Sequence, residues 1–217
     1  MLGLVLLVVF AFLLYRTSRF HEDDVVVIPR KISDRLTKLW DIAHQGMREN
    51  RFLRAEKALL TILKIDEKNA AAYNRLGILY AKQKEYKDAI DCFEIASSIE
   101  PSASSLHNLG LIYYETEHYH KAATAFEQAL KLEDNLAARH IAYAKVQEKL
   151  GNDKLMLQGL EKAVELEPNP ETFSLLHKAY ESKGMDDKAE EIDKKIHTLI
   201  MPAGRPKRIM RPKRVVI

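Results

Sequence analysis

The sequence predicts an all-α protein: a solenoid of about five helix-turn-helix units, preceded by a single apolar helix at the N-terminus. Three observations carry this. Small residues recur at Ala55, Ala89, Ala122, Met156 and Ala189, in steps of 34, 33, 34 and 33, and a fixed period of this length marks stacked supersecondary units. Inside each period apolar residues fall three and four apart, the spacing of one helix face. Finally, 8 Gly and 7 Pro in 217 residues are too few for a turn-rich all-β protein, while 47% hydrophobic and 30% charged residues exclude a wholly disordered chain.

Met1 to Tyr15 carries no charged side chain. As a helix it reaches about 22 Å. Extension to Phe20 gives about 30 Å, the thickness of a hydrocarbon core, with Arg16 and Arg19 reaching back to head groups. No Lys or Arg precedes the run and no small-x-small cleavage site follows, so a transmembrane anchor over 1–20 is expected rather than a cleaved signal peptide. Arg16, Arg19, Arg30, Lys31 and Arg35 all follow the span, and the positive-inside rule then puts the repeats in the cytoplasm. Residues 21–35 read as a juxtamembrane connector. Within it, Val25-Val26-Val27-Ile28 follows the acidic Glu22-Asp23-Asp24 and ends at Pro29. It fits either a short extended segment or a cover for the first helix that follows.

The middle of the chain is the repeat. Four further columns share the phase of the first: Ala43, Gly77, Gly110, Ala144, His177; Ile42, Leu76, Leu109, Tyr143, Leu176; Leu59, Phe93, Phe126, Leu160, Asp193; and Ile62, Ala96, Ala129, Ala163, Ile196. In the second unit Tyr73, Leu76, Gly77 and Tyr80 form one helix face, and Ala89, Phe93 and Ala96 form a second. Lys82 to Glu85 holds the polar turn between them. Gly77 and Ala89 let the two helices approach closely. Pro101 marks the exit from the unit, and Pro168 repeats it two units later.

These residues resemble the tetratricopeptide repeat family. Tyr73-Asn74-Arg75-Leu76-Gly77-Ile78-Leu79-Tyr80 and Leu106-His107-Asn108-Leu109-Gly110-Leu111-Ile112-Tyr113 look like its first-helix signature, and Ala89, Phe93, Ala96 and Pro101 match its second helix and exit proline. The likeness extends over five units at about 36–69, 70–102, 103–136, 137–169 and 170–201. It weakens outward: Gly46 stands where Tyr80 and Tyr113 stand in the next units, and the fourth unit has Gln147 there and Met156 among the small residues. The resemblance implies ten antiparallel helices in a right-handed superhelix, with an inner groove lined by the first helices. The last helix, Asp186 to Ile200, is charged over most of its surface, as a terminal unit with nothing stacked on it requires, and Asp193 fits that capping role.

A search for catalytic chemistry is nearly empty. The sequence contains no GxGxxG, GxxxxGK[ST], GxSxG or HExxH. Cys92 is the only cysteine, which excludes an intrachain disulfide and disfavours structural zinc, and it reads as a small buried hydrophobe. His118 and His120 flank Tyr119, which shares a column with Phe52 and Tyr86, so they fall in a solvated turn and are not expected to hold a metal. No enzyme and no cofactor are expected.

Function is expected in the groove and the tail. On the geometry that the resemblance implies, first-helix residues off the core columns face inward: Trp40, His44, Asn74, Ile78, His107, Leu111, Tyr114, Ile141, Lys145 and Lys178. The groove is then apolar at its centre and charged toward its ends, and suits a partner peptide with apolar anchors. Ile78 and Leu111 have the alternative role of packing adjacent repeats. Some family members grip a C-terminal carboxylate with Lys, Asn and Arg. Ile78, Ala138 and Ala142 stand where such residues are expected, so chaperone-tail binding is disfavoured.

The tail, 202–217, carries Arg205, Lys207, Arg208, Arg211, Lys213 and Arg214 and no acid. The chain's net charge of +3 includes these six, so the remainder carries −3. Prolines and like charges favour disorder there, and the charge suits anionic lipid or nucleic acid. The expected protein is therefore a membrane-anchored interaction scaffold. Its layout is similar to bacterial membrane-bound tetratricopeptide regulators of envelope assembly, without the rubredoxin-like cysteines that some of them carry. Two other classes stay open: an exported helper of envelope or secretion-complex assembly, and a nucleic-acid-associated protein in which the tail dominates.

Overall fold

The computed structural model of the chain describes residues 30–200. Among them are ten helices and no strand. They are α1 (Arg30–Arg48), α2 (Phe52–Ile65), α3 (Ala70–Gln83), α4 (Tyr86–Ile99), α5 (Ala103–Glu115), α6 (Tyr119–Leu132), α7 (Ala137–Lys149), α8 (Asp153–Leu166), α9 (Pro170–Ser182) and α10 (Asp186–Ile200). They pair as five units, and each pair packs more closely on itself than on its neighbours. The first helices α3, α5 and α7 also touch in succession, so they run side by side along one face of the stack. The anchor expected over 1–20 and the tail over 202–217 lie outside the described residues. Among the described residues, no helix is long and apolar enough to cross a membrane.

α1 starts at Arg30, inside the stretch expected as a connector. The first helices of units 2, 3 and 5 are held at their starts by side chains. The Asn69 carboxamide oxygen accepts from the Ala72 N–H at 2.9 Å, and Ser102 Oγ accepts from Ser105 N–H at 3.1 Å. Asn169 and Thr172 form a reciprocal capping box with Pro170 at the first turn. The second helices α2, α4, α6 and α8 have no such side-chain cap. Four units leave the second helix through an acidic residue, Asp66, Glu100, Glu133 and Glu167, the first three in extended backbone. Pro101 and Pro168 follow two of these four, so proline reinforces the exit without being needed for it.

The turns inside the units add a column that hydrophobic pattern does not reveal. Asn50, Lys84, Glu117, Gly151 and Gly184, again 34, 33, 34 and 33 apart, all have left-handed backbone, with φ of 56°, 64°, 62°, 74° and 66°. Only the last two are glycine, the residue that takes this conformation without strain.

Three buried clusters run along the stack. The first joins units 1 and 2, the second is centred on Phe93, Phe126 and Val146, and the third fills units 4 and 5. The close approach expected at Gly77 is made against an aromatic ring: a β-carbon there would lie 2.7 Å from Phe93, and one on Gly110 would lie 2.9 Å from Phe126. Where the sequence departs from this Gly–Phe pairing, a different small residue takes over. A β-carbon on Gly46 would meet Ala55 at 3.0 Å, and one on Gly159 would meet Ala144 at 3.1 Å. Gln147, in the tyrosine column, is buried and accepts from the Asn152 carboxamide at 2.7 Å. On α10 Ala189 and Ile192 are buried, while Glu190–Lys194 and Glu191–Lys195 pair along its solvated surface at 2.7 Å each.

Each joint between units carries one tyrosine–glutamate hydrogen bond. The Tyr80 hydroxyl donates to Glu56 at 2.9 Å, Tyr113 to Glu94, Tyr143 to Glu127 at 3.0 Å and Tyr180 to Glu161 at 2.6 Å. Burial and the carboxylate partner raise the hydroxyl pKa in all four, and Tyr143 is pushed up to about 12.

Candidate partner-binding groove

The ten residues expected to face inward fall into distinct settings. Trp40 packs against the first cluster with its ring 5.6 Å from His44, which is exposed. Ile78 is half-buried and touches both the first and second clusters, so it seals the seam between units 2 and 3 while keeping part of its surface open. Leu111 is 39% exposed, and of the four apolar residues at the groove centre it is the most accessible. Tyr114 stacks edge-on against Tyr119 at 5.6 Å, and Ile141 packs against the third cluster. Asn108 donates to the Asn74 side chain over 3.4 Å, a contact one full unit long. Lys145 and Lys178 are exposed.

His107 is different. Its ring packs on Phe126 at 5.4 Å, its Nδ1 is buried without a hydrogen-bond partner among the described residues, and burial together with Arg139 lowers its pKa. Arg139 itself is 4% exposed and donates to the Glu133 carbonyl and, at 3.2 Å, to the Glu133 carboxylate. This holds the exit loop of unit 3, which lacks the exit proline.

The structure brings His44 and Ile78 together. They line a surface cavity of about 860 Å³ between α1 and α3, together with Asp41, Arg48, Glu49, Arg75 and Lys82. Glu49 is already paired with Arg51 at 3.1 Å. Arg48, Arg75 and Lys82 make no ion pair among the described residues. The lining of this end of the first-helix face therefore combines Ile78 with three cations, the carboxylate of Asp41 and the already paired Glu49. Sequence reading missed the three cations, although helical spacing offered the signal: Arg48 lies one turn after His44, and Lys82 one turn after Ile78.

No group of three or more potential metal ligands occurs among the described residues. His118 opens α6 with its Nδ1 3.0 Å from the Thr116 hydroxyl, and His120 is exposed. Cys92 is buried on α4 as expected, and burial pushes its thiol up to about 11, which keeps it protonated and unreactive at neutral pH.

Residues 68–135 match the description of the tetratricopeptide repeat. The match spans units 2 and 3, where the Gly–Phe pairing is intact, and the outer units continue the same fold. Among solved structures, the crystal structure of the MamA protein is 22% identical, with a TM-score of 0.71, covering 83% of this chain and 100% of that one. MamA residues 41 to the end from Desulfovibrio magneticus RS-1 are 16% identical, with a TM-score of 0.69, over 78% of this chain and 97% of that one. YrrB, described as a tetratricopeptide protein with an unusual peptide-binding site, is 23% identical, with a TM-score of 0.62, over 74% of this chain and 84% of that one. Comparison with curated proteins finds no match. At these identities the likeness is one of fold.

Proposed function

We propose that the chain is a membrane-anchored adaptor whose first-helix face holds a peptide segment of a partner protein. The observation that carries this is the cavity between α1 and α3, which Ile78 lines together with Arg48, Arg75 and Lys82, against Asp41 and the already paired Glu49. Apolar contact gives affinity there, and the three cations favour a segment with carboxylates beside its apolar anchor. The peptide-binding site named for YrrB supports reading such a face as a peptide receptor. Leu111 and Tyr114 extend the apolar strip toward the middle of the stack, and Lys145 and Lys178 lie beyond it.

The anchor rests on the uncharged run Met1–Tyr15, and the cytoplasmic placement of the repeats rests on the basic residues that follow it. The basic tail adds an electrostatic contact, most simply to the anionic surface of the same membrane.

Two experiments test the reading. Full-length chain in detergent, with and without Arg75→Glu plus Lys82→Glu, is used to capture partners, and captured segments are resynthesised for titration. Charge reversal is expected to weaken a bound acidic segment at least tenfold while leaving the helical circular dichroism unchanged. Equal binding by both proteins removes the cavity from the partner site. Reporters active only in the cytoplasm, or only after export, are fused at the C-terminus. An exported signal overturns the cytoplasmic placement and favours the envelope-assembly alternative.

A further inference from the structure

Unit 1 carries a second surface, which shares no lining residue with the cavity at Ile78. It is a groove of about 510 Å³ between α1 and α2, lined by Leu39, Ile42, Leu53, Ala58 and Thr61 together with Arg54 and Lys57. Leu53 is 65% exposed, the most exposed large apolar side chain among the described residues. Arg54 and Lys57 make no ion pair among the described residues. The repeat places the same groove in unit 5. There Leu39, Ile42, Arg54, Lys57, Ala58 and Thr61 become Phe173, Leu176, Lys188, Glu191, Ile192 and Lys195, and all six line one cavity of about 310 Å³. That cavity has a further wall. Glu161, Val164 and Glu165 of α8, the second helix of the unit before, line it as well. Unit 1 has no preceding unit among the described residues, so its groove lacks this wall.

We propose that the groove of unit 1 is the seat of an acidic amphipathic helix from a partner protein, which takes the place that α8 holds beside unit 5. The joints inside the stack define what such a helix carries. The column of Glu161 is glutamate in α4 and α6 as well, at Glu94 and Glu127, and each of the three accepts a hydroxyl from a tyrosine of the next unit. In two of these joints a lysine from the column of Arg54 lies over that tyrosine's ring: Lys121 over Tyr113 and Lys188 over Tyr180, 5.3 Å from each centroid. Unit 1 keeps the cation, as Arg54, but has Gly46 in place of the tyrosine. A carboxylate at the position of Glu161 then has no ring between itself and the Arg54 guanidinium, whose fork suits a carboxylate. Lys57 stands where unit 5 has Glu191, so the lining holds two cations and no acid. Two acids one turn apart on the incoming helix answer both, and an aliphatic residue at the position of Val164 meets the apolar lining. The helix therefore reads acid-x-x-aliphatic-acid. Outside 30–200 the chain offers no such run: acids occur there only at 22–24, and none begins the pattern. A second copy stacked end to end would present Lys194, His197 and Thr198 at the three positions, setting Lys194 against Arg54 and Lys57. The groove thus calls for a different protein, and it stands or falls apart from the cavity at Ile78.

The test uses full-length protein in detergent and two helix-stapled synthetic peptides of residues 153–166. One has the native sequence, and the other carries Glu161→Lys plus Glu165→Lys. Affinities are measured by fluorescence anisotropy. A photo-crosslinking benzoylphenylalanine at position 53, and in a second variant at position 61 in case the first perturbs the fold, locates the bound peptide by mass spectrometry. The native peptide is expected to crosslink and to bind at least tenfold more tightly than the lysine peptide. Arg54→Glu plus Lys57→Glu is expected to reverse that order, while Arg75→Glu plus Lys82→Glu leaves it unchanged. Equal binding of the two peptides, a preference that the reversal at Arg54 and Lys57 does not alter, or no crosslink from either position overturns the proposal. So does a preference abolished by the changes at Arg75 and Lys82, which moves the peptide to the cavity at Ile78. A crosslink in a dimer band assigns the groove to a second copy, and one to residues 1–29 assigns it to the chain's own N-terminal segment; each overturns the proposal.

Discussion

Units 3 and 4 have nearly the same shape and reach it with different residues. Unit 3 seats Phe126 against Gly110 and ties Tyr113 to Glu94 across the joint behind it. Unit 4 has Ala144, Leu160 and Gln147 at the corresponding places. Its close approach moves to Gly159 against Ala144, and its joint is tied by Tyr143, one helical turn before Gln147, to Glu127. The first joint shows the same displacement on the other partner. Glu94, Glu127 and Glu161 share a column, Leu60 occupies that column in unit 1, and Glu56, one turn earlier, receives the hydroxyl of Tyr80 instead. What repeats along the stack is a contact, and a residue one turn away on the same helix face can supply it.

The comparison breaks most visibly at the aromatic ring. Phe126→Ala is expected to destabilise the protein by about 3–5 kcal/mol in urea unfolding, because a fully buried ring leaves a cavity against Gly110. Equal losses from Phe126→Ala and Phe52→Ala, at a half-buried position opening α2, would deny the ring its special place. Next in size is Gly110→Ala, whose new β-carbon meets the edge of Phe126, at about 1–3 kcal/mol. Adding Phe126→Leu should recover part of this loss, since the double variant recreates the Ala144–Leu160 combination of unit 4; strictly additive losses would show that unit 4 owes its packing to something else.

A smaller loss, about 0.5–1.5 kcal/mol, is expected for Tyr143→Phe, which removes the hydroxyl bond to Glu127. Its pH signature sharpens the point. The folded-state pKa of Tyr143 is raised to about 12. The stability it contributes is complete below the unfolded value near 10 and is lost as pH rises through the folded one. Between these values the wild type should lose stability more steeply than Tyr143→Phe, and parallel unfolding curves would remove the bond from the account. His107 acts at the acid side. Its pKa is lowered, so protonation of the unfolded chain below about 6.5 draws stability away as pH falls, and His107→Gln should flatten that slope. The smallest effect is expected at the turns. Lys84→Gly relieves left-handed strain of about 1 kcal/mol but loosens the unfolded chain by nearly as much, leaving a net change within about 0.5 kcal/mol by thermal unfolding.

The five-unit architecture was legible because buried contacts in a stack force one hydrophobic phase on every unit, and Ala55, Ala89, Ala122 and Ala189 obey it. The left-handed turns were not legible, because Asn50, Lys84, Glu117, Gly151 and Gly184 share a backbone angle and no side-chain chemistry. The joints were half legible: Tyr80, Tyr113 and Tyr143 fell in the repeat pattern, but Tyr180 did not stand out, and the glutamates lie on half-buried or exposed surface, where sequence gives no reason to pair one with a tyrosine 16 to 24 positions away. In the groove the apolar members were readable only through the geometry that the family resemblance implies. The split of Ile78 between two clusters and the gathering of Arg48, Arg75 and Lys82 around it depend on how α1 and α3 lie together, which a single helix pattern does not contain.

The four tyrosine–glutamate joints give the groove a graduation, like marks on a ruler. Neighbouring packed helices lie about 8–10 Å apart, so each unit offers its anchor point at roughly that interval. A β-strand rises about 3.3 Å per residue and turns alternate side chains away, so its third residue, though at the right distance, faces outward. An α-helix needs about six residues to cover the interval. A polyproline II segment brings the same side round every third residue, after about 9.3 Å. A chain with that left-handed, three-residue pitch can present one side chain to each unit in turn without bending.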